Sequence, residues 1–183
     1  MIWFFTPYSF QKKLFEAWDA YMNLVQDPND WVCMMDGDVL FLIADFGHQM
    51  QEYIDKYSDT GLFSCYASRA HRQEYIRKGV DMENPSVLYH YDQSEKCRNT
   101  LHLNVKEIGK PALGHLMLIK KATWLLIRDR VKELTAQHNI LGVDVRISRA
   151  ISELGMPVLL MRGIYVLHFF RIKYGLKERS ILL

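Results

Sequence analysis

The sequence predicts an α/β protein with an open, mainly parallel sheet flanked by helices. Three observations carry that prediction. Apolar runs of strand length alternate with segments of helical periodicity along most of the chain. The first such unit, strand–helix–strand, closes in about 35 residues, the length of a βαβ crossover. Finally, the run WVCMM (31–35) is apolar without alternation, as a strand covered on both faces is.

Taken in order, IWFF (2–5) is a strand halted by Thr6-Pro7. Phe10, Leu14, Ala17, Trp18, Tyr21, Met22 and Val25 then recur at helical spacing, which predicts a helix from Ser9 to about Gln26 with Ser9 as its N-cap. Asp27-Pro28-Asn29-Asp30 stops it before the WVCMM strand. A second helix is expected from Asp45 to about Tyr57 and a strand over GLFSCYAS (61–68). Residues 69 to 111 are polar, rich in His, Arg, Tyr and Asn and weakly periodic, so a long functional loop is expected there. Its Arg69, His71 and Arg72 suit either solvent or a substrate. GHLMLIKK (114–121) is a strand entering a helix over 122–137, and a further helix runs from Val143 to about Leu154, ended by Gly155 and Pro157. PVLLM and IYVLHFF are two late strands before a frayed end.

Composition bounds the function classes. With 183 residues, 49% hydrophobic and 24% charged, the chain can bury the core of one domain. A net charge of +2 gives no reason to expect a nucleic-acid partner. From Arg162 onward, however, five basic residues (Arg162, Arg171, Lys173, Lys177, Arg179) stand against Glu178 alone, a composition suited to phosphates or to an anionic membrane surface. Three cysteines (Cys33, Cys65, Cys97) without paired spacing indicate a reducing compartment and no disulfide framework. The opening MIWFFTPYS lacks a basic n-region, and no apolar run approaches the roughly 20 residues of a membrane span. A cytoplasmic protein is expected, with peripheral contact at the inner membrane face as an option for its basic end.

Asp36-Gly37-Asp38 interrupts an apolar stretch, WVCMMDGDVLFL. Asp-Gly is a strong hairpin signal. The βαβ context favours another reading, in which the acids sit at the carboxyl end of a parallel strand, where open α/β sheets bind ligands. Two hard oxygen donors at that place suit Mg²⁺ or Mn²⁺ held together with a substrate's phosphates.

With these residues in view, the chain resembles the nucleotide-sugar-dependent glycosyltransferases of the GT-A fold, most nearly the small bacterial family 2-like transferases. DWVCMMDGDVLF is similar to the family's Asp-x-Asp segment, Gly114-His115-Leu116 to its glycine-containing acceptor loop, Gly142-Val143-Asp144 to its acidic site at a helix start, and Tyr165-Val166-Leu167-His168 to the strand bearing its C-terminal metal-binding His. The likeness spans residues 1 to 171, leaving 172–183 as a tail. It implies Asp36 at the ribose or the metal, Asp38 and His168 as metal ligands, and Asp144 as the general base of an inverting transfer. Gly114 and His115 would belong to the acceptor loop, Thr6, Pro7 and Tyr8 to the base-binding strand end, and Arg171 to the diphosphate. The implied cofactor is Mn²⁺ or Mg²⁺, the donor a nucleoside-diphosphate sugar and the acceptor a glycan or lipid-linked hydroxyl.

The chain departs from the family pattern in two places. A single strand and helix precede the Asp-x-Asp segment, which shortens the nucleotide-binding part, and Val143 stands where Glu is usual. Read residue by residue, other roles stay open: His168 as a core histidine, Asp144 as an acid favoured by a helix dipole, and Gly114 as relief of strand crowding. Two other functions also stay open. One is a haloacid-dehalogenase-like phosphatase, in which the first Asp of Asp-Gly-Asp is a nucleophile. The other is a non-catalytic protein that binds sugar or nucleotide.

Overall fold

The chain opens with β1 (Ile2–Phe5), α1 (Leu14–Leu24) and β2 (Trp31–Met35), and the two strands pair in parallel from Ile2↔Trp31 to Phe5↔Met34. The coordinates are a computed structural model, in which residues 1–11, 13–109, 111–137 and 142–169 are described. The expected βαβ unit is present, but α1 begins later than Ser9. The Ser9 hydroxyl accepts a hydrogen bond from the Lys13 N–H at 2.8 Å, so it holds a turn ahead of the helix and does not cap it. Asp30 accepts from the Trp3 indole at 2.8 Å, tying β1 to the turn before β2.

The remaining elements are β3 (Val39–Phe41), α2 (Phe46–Lys56), β4 (Leu62–Ala67), α3 (Val87–Leu101), β5 (Val105–Glu107), β6 (Leu116–Lys120), α4 (Lys121–Gln137), α5 (Val143–Glu153) and β7 (Val158–His168). The sheet has the order β1-β2-β6-β4-β7-β3, with β5 also on β7. The class is α/β with an open sheet, but the expectation of a mainly parallel one is corrected. Only β1–β2 and β4–β7 are parallel. β6 lies antiparallel between β2 and β4, and β3 and β5 both run antiparallel to β7. Periodicity reports that a strand is covered on both faces, and it carries no information on direction.

Coverage of both faces explains the unbroken apolar runs. Val32, Met34, Met117 and Ile119 pack with Trp18, Trp124 and Ile147 from α1, α4 and α5. Trp31, Cys33, Leu116 and Leu118 point the other way, to Met50, Tyr53 and Ile54 of α2. All three cysteines are buried and free, and no helix of the described residues is long and apolar enough to cross a membrane.

Two further expectations are corrected. Residues 69–111 hold a short 3₁₀ turn (Gln73–Tyr75), α3 and β5, where a long loop was expected. The helix α3 escaped detection because its buried face is polar: His90, Gln93 and Ser94 beside Cys97. These groups are satisfied inside the fold. His90 bonds Tyr165 Oη at 2.7 Å and the Asn84 carbonyl at 2.9 Å, and Gln93 accepts from Arg77 at 3.0 Å. The two late strands are one strand, β7, whose pairing with β4 jumps from Cys65↔Met161 to Tyr66↔Tyr165. The intervening Arg162-Gly163-Ile164 bulges, and polar Arg162-Gly163 looks in sequence like a break between strands.

Candidate functional site

Because β1, β2, β4 and β7 all point the same way, their carboxyl ends meet along one edge of the sheet. Asp36 follows β2, Ser68 and Arg69 follow β4, and His168 ends β7. Gly114 and His115 precede the antiparallel β6, and Asp144 lies in the first turn of α5. Segments far apart in the chain are thus delivered to the place where α/β sheets bind ligands.

The Asp-Gly-Asp segment does turn, with the Val39 N–H donating to the Asp36 carbonyl at 3.3 Å, but it makes no hairpin. β2 pairs with β1 and β6, whereas β3 crosses to β7 and sets Val39 opposite His168. The Phe169 N–H donates to the Asp38 carbonyl at 2.9 Å, and the Asp36 N–H to the His115 carbonyl at 3.2 Å, so both acids have anchored backbones. A Cβ on Gly37 would stand 3.4 Å from the Thr6 methyl, in ordinary contact, so Thr6 packs against the loop.

His168 is buried at 5% exposure. Its N–H donates to Ser68 Oγ at 2.9 Å, and Ser68 Oγ donates back to its carbonyl at 3.1 Å. Nδ1 lies 2.9 Å from the Arg69 carbonyl, which can only accept, so Nδ1 carries the hydrogen. Nε2 therefore faces the acids, 3.3 Å from Asp38 Oδ1 and 3.8 Å from Asp36 Oδ2. One donor atom from each of Asp36, Asp38 and His168 lies within 4.8 Å of the other two. Two carboxylates and an imidazole oriented by a backbone carbonyl fit a hard or borderline divalent cation of the Mg²⁺–Mn²⁺ type. Loss of hydration among the cleft walls raises the Asp36 carboxyl above its ordinary range although 54% of its side-chain surface is exposed. His168 opposes that rise, and Asp38 and Asp144 add to it.

Beside this cluster lies a cleft of about 230 Å³, walled by Pro7, Leu14, Trp18, Met35, Leu113 and Val143. Asp36, His71, Gly114, His115, Asp144 and His168 also line it. Asp144 Oδ2 accepts from the Gly114 N–H at 3.1 Å, and Ser148 Oγ bridges the Asp144 carbonyl (2.9 Å) to the Ala112 N–H (2.8 Å). Burial raises the Asp144 carboxyl, and N–H groups of Val145, Gly114 and its own residue, with Arg72 further off, only partly offset it. The expectation from the helix dipole alone, a carboxyl held down, is therefore reversed.

His115 is 2% exposed, and burial, with His168 as a second cause, pushes its pKa down to about 3. Pro7 reaches the cleft, whereas Tyr8 stands in solvent at 74% exposure. Arg69 is buried and paired with Glu83 at 3.0 Å, contributing its carbonyl to the site. Arg171 and the basic stretch to Arg179 lie outside the described residues. Sequence reasoning missed Ser68, Leu113 and the wall formed by Leu14 and Trp18. The α1 pair carries the same apolar signal as any core residue, and a hydroxyl that latches backbone has no signature of its own. The sequence matches no protein-family model and no curated protein.

Proposed function

We propose that the protein is a metal-dependent glycosyltransferase, moving a sugar from a nucleoside-diphosphate sugar to an acceptor hydroxyl. One observation carries this reading: the donor atoms of Asp36, Asp38 and His168 converge at the carboxyl edge of the sheet, beside a cleft with a further, half-buried acid, Asp144. Asp36, Asp38 and His168 would hold Mn²⁺ or Mg²⁺. When bound, such an ion supplies positive charge to neutralise a leaving diphosphate.

The chain's own residues do the rest. Asp144 takes the proton of the acceptor hydroxyl, whose oxygen bonds the anomeric carbon as the bond to the diphosphate breaks. The nucleoside diphosphate departs with that electron pair, and the product is inverted. A carboxyl raised by burial is a stronger base than an exposed one, which suits this task. The Gly114 N–H orients it, and Trp18, Leu113 and Val143 keep water from one side of the reacting centre. In this reading the nucleotide lies against Thr6 and Pro7 at the end of β1, a reading supported by Pro7 lining the cleft and by Thr6 beside Gly37. The acceptor is a glycan or a lipid-linked hydroxyl. The basic C-terminal end supplies peripheral contact with an anionic bilayer, giving stronger cosedimentation with anionic than with neutral vesicles at low salt.

The test is Asp38→Ala, with nucleoside diphosphate titrated calorimetrically in the presence and absence of Mn²⁺. Mn²⁺-dependent binding is expected in the parent protein and lost in the variant, with the fold intact. Metal dependence unchanged in the variant overturns the ligand assignment.

A further inference from the structure

The ring of His115 stacks on the ring of His168, centroids 5.6 Å apart and planes 26° from parallel. Its Nε2 lies 3.1 Å from the Cys65 carbonyl, so Nε2 carries the hydrogen and the ring plane is locked to β4. Tyr75 closes the other approach edge-on, at 5.4 Å and 90°. His115 Nδ1 is buried and has no hydrogen-bond partner among the described residues. An orphaned buried nitrogen is a cost that a Leu or Phe of similar size would not carry. The same residue's carbonyl receives the Asp36 N–H, and the N–H of its neighbour Gly114 holds Asp144.

We infer that His115 is a positioning residue of the metal centre: its locked ring is the platform that fixes the plane of His168 and keeps Nε2 turned to Asp36 and Asp38. This rests on the metal-binding reading above and moves His115 from the acceptor loop to the support of a ligand. The Nδ1–H bond to the Arg69 carbonyl is made only while the plane of the His168 ring stays directed at that carbonyl. A second, locked ring stacked alongside it helps to hold that plane, as outer partners of metal-binding histidines do. The tie to Cys65 explains why the platform is an imidazole.

The test compares His115→Phe, His115→Gln and His115→Ala with the parent protein, each confirmed folded by circular dichroism. Mn²⁺ affinity is read by electron paramagnetic resonance without substrate. Phe, which keeps a ring, should bind Mn²⁺ within about threefold of the parent, and Gln and Ala should lose about 10- to 100-fold. The second readout needs no metal: ¹⁵N shifts of His168 in the metal-free protein. The parent should show the single Nδ1–H tautomer, and Gln and Ala should show a mixture. Parent-like affinity together with an unmixed tautomer in the Ala variant overturns the inference. If the parent protein itself binds no Mn²⁺, the metal reading fails, and the tautomer comparison still decides whether His115 positions His168.

Discussion

At the scale of single residues, Asp144 is the proposed base, and burial among its neighbours raises its carboxyl. Asp144→Asn keeps an oxygen for the Gly114 N–H and removes the proposed base. Turnover should fall by about 10²–10⁴, the usual contribution of general acid–base catalysis, while Mn²⁺-dependent diphosphate binding persists. A variant with near-parental turnover refutes the assignment. Stability should move the other way. Burial raises the folded-state pKa of this carboxyl above its ordinary value of 3.8. Its contribution to stability is therefore complete below that value and is lost as pH rises through the folded pKa. The Asn variant does not suffer that loss, so its Tm should exceed the parent's at pH 7, and the difference should close as pH falls below about 4. A difference independent of pH contradicts this. Gly142, at the N-cap of α5, provides a steric test: a Cβ there would lie 2.2 Å from Asp144 Oδ1. Gly142→Ala should swing the carboxylate aside and cost about 10²-fold in turnover, with the metal affinity unchanged. At this scale the sequence was informative about charge and poor about environment. Asp36 and Asp38 were legible as candidates because two carboxylates stand out in an apolar run, whereas Asp144 and His168 were singled out by the resemblance to the GT-A transferases. The reversal at Asp144 was not, because desolvation depends on neighbours from other segments.

Among the elements, β7 is the one whose detail matters most to the site, since it ends on His168. Its bulge is held from outside. Gly163 N–H donates to Tyr53 Oη at 2.8 Å, and Arg162 N–H to the Asn104 carbonyl at 2.9 Å. A Cβ on Gly163 would meet Tyr53 Oη at 2.7 Å and the His102 Cα at 2.9 Å, and backbone cannot yield as a side-chain tip can. Gly163→Ala should therefore destabilise the protein by about 1–3 kcal/mol, measured by urea unfolding. Unchanged stability would mean that α2 and the end of α3 give way freely around the bulge. The helices α2, α4 and α5 were legible from periodicity to within a few residues of their ends, and α3 was not. A helix that buries His, Gln and Ser against partners elsewhere in the fold looks solvated in one dimension. Hydrogen bonding, which only the folded chain supplies, is what makes that face compatible with the interior.

For the molecule as a whole, site assembly and folding are one event. The centre joins the ends of β2, β4 and β7, and none of these segments holds a metal-binding set alone. Mn²⁺ should bind the folded chain and raise Tm with concentration, adding about 2.7 kcal/mol at a hundredfold excess over Kd. Asp38→Ala should show no such shift in a thermal-unfolding series with Mn²⁺. An equal shift in both proteins would place the ion elsewhere. The sequence by itself determined the α/β class, the βαβ opening, the double coverage of the central strands and the acids at the end of β2. These follow from side-chain polarity and spacing, which local physics dictates. Only the tertiary structure decided that β6 runs antiparallel between β2 and β4, that Asp-Gly-Asp leads to β7 and not to a hairpin, and that His115 lies against His168. Those are choices among pairings with nearly the same local energy, and packing of the whole sheet against its two helical layers selects between them.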